Sequence, residues 1–123
     1  SLMDVVDMPC TLAEIGRVLR SGGRFCACVL HPLMDAGRFA GDSDAAPFVV
    51  EGSYFEEREY EVLSERDGIS FLFRSRRYTL ASYWAAIAAA GMTIDAVLAP
   101  RHPAEGSRWQ RLPMFLCWTA IRL

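Results

Sequence analysis

Apolar positions along the chain change period several times, and each change marks an element. Leu12, Ile15 and Leu19 recur at helical spacing, and Val18 widens the stripe. Asp7 offers an N-cap, and Pro9 falls in the first turn, where a missing amide proton costs nothing. Ser21-Gly22-Gly23 closes that helix. "RFCACVL", from Arg24 to Leu30, is apolar on both faces and predicts a central strand, ended by His31-Pro32. Residues 34–47 are rich in Gly, Ala and Asp and predict a mobile loop. Tyr54, Glu56, Arg58, Tyr60 and Val62 alternate with Phe55, Glu57, Glu59, Glu61 and Leu63 in mixed polarity, Asp67-Gly68 supplies turn chemistry, and 69–75 return. That pattern predicts a hairpin insert over about 53–77 with one solvated face. Thr79 caps a second helix, with Leu80, Tyr83, Trp84, Ile87 and Ala88 on its apolar face and Gly91 as its stop. Residues 93–98 and 114–122 read as strands, the latter apolar on both faces almost to its end.

The order helix, strand, hairpin, helix, strand, strand describes one α/β domain over 1–123. A strand that reaches a second strand through a helix implies a parallel crossover. The helix-free link between the last two strands predicts an antiparallel return.

Composition narrows the chemistry. A hydrophobic fraction of 52% and a formal charge of -2 describe an ordinary globular chain with no global pull toward nucleic acid. All 13 basic residues are arginine, which removes lysine nucleophiles and Schiff bases. No apolar run approaches the ~20 residues that span a bilayer. Cys10, Cys26, Cys28 and Cys117 show no zinc spacing, so no metal site is expected, and packed thiols in a reducing cytoplasm are. Arg74 to Tyr78, "RSRRY", is the one basic cluster. The acids at 56, 57, 59, 61 and 65 give it cross-strand partners, so a nucleic-acid site is not expected.

One passage carries a family resemblance. Leu12, then Glu14-Ile15, then Arg17-Val18-Leu19, then Gly22-Gly23 and Arg24-Phe25 resemble the run from fourth to fifth strand in class I S-adenosylmethionine-dependent methyltransferases. Ser21 stands where that family often has proline. His31-Pro32, Tyr54-Phe55 and "TLASYWAAIAAAG" are similar to landmarks of one bacterial subgroup. The resemblance implies an incomplete Rossmann-like sheet, namely the last strands of seven with the final strand antiparallel, plus an inserted β-hairpin. It also implies methyl transfer from S-adenosylmethionine to a small-molecule acceptor as part of a longer parent enzyme, this chain alone being inactive.

On that reading Leu2, Met3 and Asp4 follow the fourth strand, near the cofactor and its methyl. His31, at the carboxyl end of a central strand, is a candidate base, because imidazole titrates near neutrality. Tyr54 is a candidate acceptor contact. The family's glycine-rich cofactor loop and ribose-binding acid have no counterpart in the eleven residues before Leu12. A domain fragment, a misplaced start near Met3 and a truncated product all fit. An open sheet edge predicts self-association as a homodimer or domain-swapped oligomer. The competing reading is a non-catalytic α/β remnant that acts as a dimerisation or interaction module.

Overall fold

The computed structural model describes residues 2–123. After a 3-10 turn at Leu2–Asp4, helix α1 runs over Met8–Val18, with the Asp7 side chain accepting from the Cys10 amide at 2.9 Å. Strand β1 is Arg24–Leu30, reached through Gly22 at φ +73°. Helix α3, Leu80–Ala89, starts at Thr79, whose hydroxyl accepts from the Ser82 amide at 3.1 Å. Strand β6, Met92–Leu98, and strand β7, Phe115–Arg122, complete the sheet. Between β1 and α3 lie a short helix α2, Pro32–Asp35, and two hairpins: β2 with β3 (Gly37–Phe39 and Phe48–Val50), and β4 with β5 (Glu59–Arg66 and Ile69–Arg76).

The sheet order is β1-β7-β6, and β7 is antiparallel to both neighbours. β1 and β6 are therefore parallel to each other with the reversed strand between them. This is the incomplete α/β sheet with a reversed last strand that the sequence predicts. Alternation sends Val29, Leu116, Trp118 and Ala120 to the side where Met8, Leu12, Tyr83 and Ile87 close the core. The two helices meet closely there, because a Cβ on Gly16 would run into the carbonyl oxygen of Ala90. Cys26, Cys28, Cys117 and Thr119 point to the opposite face, where both β1 cysteines are exposed and Phe115 is 43% exposed. No helix among the described residues is long and apolar enough to cross a membrane.

Two stretches differ from the pattern read in the sequence. Residues 34–47 hold order in place of a loop: α2 ends within them, and β2 pairs with β3 from Gly37↔Val50 to Phe39↔Phe48. That pairing needs glycine at 37, since a Cβ there would collide with the Val49 carbonyl. The long hairpin begins its first strand at Glu59, five residues after Tyr54. Residues before it are held by the start of α3. The Leu80 amide donates to the Tyr54 hydroxyl at 2.9 Å, and the Thr79 amide to Glu57 Oε1 at 3.1 Å. Beyond them, Arg74 pairs with Glu61 at 2.8 Å and Arg76 with Glu59 at 3.6 Å. These exposed pairs form the ion-pair face expected of the basic cluster, and each contributes little stability.

Candidate functional site

Open α/β sheets gather ligands beyond the carboxyl ends of their parallel strands. Here that edge is where β1 ends and β7 begins, joined by the His31 amide donating to the Met114 carbonyl at 2.9 Å. α2 starts at this point and contributes to two neighbouring compartments, Met34 to an apolar one and Asp35 to a polar one.

The apolar compartment is a groove lined by Leu30, Met34, Phe39, Phe48, Trp109 and Met114, with Arg38, Asp42 and Arg108 at its margin. Phe39 anchors it, with ring centroids 5.4 Å from Phe48 and 5.2 Å from Trp109, both edge-on. Two arginines from the segment before β7 clasp the loop after β2. Arg108 donates to the carbonyls of Gly41 at 2.7 Å and Asp42 at 3.2 Å, and Arg111 to those of Asp44 at 2.7 Å and Ala46 at 2.6 Å. Both guanidinium groups lie over the Phe39 ring, 5.0 and 5.6 Å from its centroid. The groove walls thus come from segments more than sixty residues apart in sequence.

The polar compartment is built on the inner end of the long hairpin, where Tyr60 lies opposite Ser75. The Tyr60 hydroxyl donates to Asp35 Oδ1 at 3.0 Å, and the Ser75 hydroxyl to Asp4 Oδ1 at 2.6 Å. Burial pushes the Asp35 carboxyl above its ordinary value, partly countered by the Tyr60 hydrogen bond and by the charge of Arg77. Burial, then the nearby Asp35, pushes Tyr60 up to about 12, so it stays a phenol at neutral pH. Tyr83 is pushed further up, chiefly by burial. Arg77 Nε is buried beside this cluster with no hydrogen-bond partner.

The residues singled out from sequence fall around these compartments. His31 caps α2: its Nδ1 accepts from the Leu33 amide at 3.1 Å, and burial lowers its pKa. It is therefore neutral near pH 7 with its proton on Nε2, which makes the free ring nitrogen a donor. Leu2 is buried in the core, while Met3 and Asp4 border a shallow cleft with Ser75 and Arg76. Tyr54 lies elsewhere, its hydroxyl occupied at the start of α3. Sequence reasoning missed Asp35, Tyr60 and Ser75, and also the Phe39–Trp109 pair. One signal was available: a two-residue turn at Asp67-Gly68 sets Arg66 opposite Ile69, and hence Tyr60 opposite Ser75. Among the described residues no three His, Cys, Asp or Glu side chains converge on a metal position.

No family model matches the chain, and no curated protein sequence does. Solved structures do match. A Listeria monocytogenes protein assigned as an S-adenosylmethionine-dependent methyltransferase aligns with 100% of this chain and 58% of its own, at 23% identity and TM-score 0.80. An S-adenosylmethionine-dependent methyltransferase from Mesorhizobium loti aligns with 99% of this chain and 58% of its own, at 21% identity and TM-score 0.77. A glycopeptide N-methyltransferase complexed with sinefungin aligns with the whole chain and 50% of its own, at 11% identity and TM-score 0.52. The chain therefore spans about 58% of the length of the first two structures. At these identities the likeness establishes the fold alone, part of a Rossmann-like α/β domain.

Proposed function

We propose that this chain forms the acceptor-side half of an S-adenosylmethionine-dependent methyltransferase acting on a small molecule. The observation that carries the reading is the reversed β7 between two parallel strands, with a groove and a half-buried carboxylate at their carboxyl edge. Bound S-adenosylmethionine supplies an electrophilic methyl on a sulfonium. The groove around Phe39 and Trp109 holds the body of the acceptor and excludes water from it. His31 Nε2 donates to the acceptor and orients it. Asp35, made more basic by burial, takes the proton that an N–H or O–H acceptor sheds as its new bond to carbon forms. Tyr54 serves by holding the hairpin base against α3.

The chain fits only part of a cofactor cradle. Among the described residues no glycine-rich turn opens a helix, since α1 begins behind Asp7 and α3 behind Thr79. Met3 and Asp4 are the chain's contribution, next to Ser75, while Leu2 anchors them in the core. Two measurements test this. The gene product that carries this chain is expected to release S-adenosylhomocysteine from S-adenosylmethionine when given a fractionated small-molecule extract. Neither turnover nor saturable S-adenosylhomocysteine binding in that product would sink the enzyme reading. The 123-residue chain alone is expected to give no saturable heat with S-adenosylhomocysteine; a one-to-one isotherm would show a complete pocket and overturn the half-site statement.

A second reading, an interaction module, rests on the long hairpin. Val62, Ile69, Phe71 and Phe73 share one of its faces and are 46–57% exposed. An isolated two-stranded hairpin is marginal in water, so covering this face is favourable. Self-association is expected: sedimentation equilibrium should give masses above 13.7 kDa that rise with concentration, and Phe71→Glu with Phe73→Glu should restore the monomer. A wild-type chain that stays monomeric throughout would remove this reading. The four free thiols suit a reducing, cytoplasmic setting.

A further inference from the structure

We propose that Cys28 and Cys117 form a reversible cross-strand disulfide, making the open sheet face a thiol pair that responds to small-molecule disulfides. The two residues are register partners on β1 and β7, with sulfurs 3.1 Å apart and neither in a disulfide. Their position in the ladder is the favourable one. The Arg122 amide donates to the Gly23 carbonyl and the His31 amide to the Met114 carbonyl, so every second pair between these is hydrogen-bonded. Cys28↔Cys117 falls between bonded pairs, where side chains approach most closely and Cα atoms lie about 4.5 Å apart. That separation is within the disulfide range of roughly 4.4–6.8 Å.

The other cysteines lack such a partner. Cys26 faces Thr119, 3.6 Å from its hydroxyl, and Cys10 lies on α1. Two thiols already in contact across the ladder can be oxidised to a disulfide without moving the strands. A thiolate of one cysteine attacks a small-molecule disulfide, forming a mixed disulfide and releasing one thiolate. The second cysteine then displaces the other half. In total two thiols become one disulfide, and the small disulfide is reduced to two thiols. The contact with Cys117, then burial, pushes the Cys28 thiol up, which leaves less thiolate to start the exchange.

The link would join the two strands whose ends frame the groove. Cys28 is three residues before His31 and Cys117 three after Met114, about 10 Å along each strand. The proposal stands independently of the methyl-transfer reading. To test it, the native chain is incubated in glutathione disulfide with a little glutathione, quenched by alkylation and mapped by mass spectrometry. The expected product has lost two hydrogen masses, keeps two alkylatable thiols and contains a peptide joining residue 28 to residue 117. Cys26→Ser should keep the link, Cys28→Ser and Cys117→Ser should each abolish it, and dithiothreitol should reverse it. Four alkylatable thiols, persistent glutathione adducts without a link, or a link through Cys26 or Cys10 would overturn the proposal.

Discussion

Trp118→Ala is expected to lower the unfolding free energy by about 3 kcal/mol, at the low end of the 3–5 kcal/mol that large aromatic truncations cost. Trp118 is 3% exposed and central to the aromatic cluster, with ring centroids 5.3 Å from Tyr83 and 5.5 Å from Trp84. It ties β7 to α3, so its loss opens a cavity between the sheet and the helix packed on it. The low end is expected because its indole Nε1 is buried without a hydrogen-bond partner, a cost of about 1–3 kcal/mol that the truncation relieves. Trp118→Phe separates the two effects: it keeps an aromatic ring and removes the orphaned donor, and should destabilise far less. Urea unfolding followed by circular dichroism reads both. An alanine variant within about 1 kcal/mol of wild type would mean that this cluster does not hold the fold.

Asp35→Asn should reduce methyl transfer by about 10²–10⁴-fold, the usual worth of a positioned proton acceptor. The same change should leave stability at neutral pH equal or slightly higher, because of the sign of the pKa shift. A carboxyl whose folded pKa is raised contributes its stability in the protonated form. That contribution is complete below the unfolded pKa and is lost as pH rises through the folded one. Above that window the charged carboxylate opposes folding, and asparagine removes the charge while still accepting from Tyr60. The acid limb of kcat/KM should lie above the ordinary carboxylate value of 3.8. Tyr60→Phe should move it higher still, since it deletes a hydrogen bond that favours the charged form. Full activity in Asp35→Asn would end the proton-acceptor role while leaving methyl transfer itself standing. A pH limb unmoved in Tyr60→Phe would show that Tyr60 does not tune this group.

Both residues escaped the sequence reading for a reason visible in the fold. α1, β1, α3, β6 and β7 were legible because periodic apolar residues and local caps, such as Asp7 and Thr79, agree within each element. Residues 34–50 carry no such local agreement. Their order comes from a close approach at Gly37 and from Arg108 and Arg111, which arrive from the far end of the chain. Asp35 looked like loop charge because nothing nearby announces that Tyr60, on another element, will cover it. The start of β4 was misplaced for a similar reason: Tyr54 and Glu57 alternate as strand residues do, yet their polar ends are taken by α3. His31 was placed correctly at a strand end. Its tautomer depended on the Leu33 amide, which only the turn into α2 reveals.

The arginine clasp has an evolutionary corollary. Arg108 and Arg111 grip the main-chain oxygens of Gly41, Asp42, Asp44 and Ala46, and only the Arg108 amide engages a loop side chain, that of Asp44. Every residue type carries a carbonyl, so most substitutions in this loop leave its anchorage untouched. The groove margin at Asp42 can then change its chemical character while the frame stays fixed. Change would meet little resistance at Asp42, and much more at the two arginines.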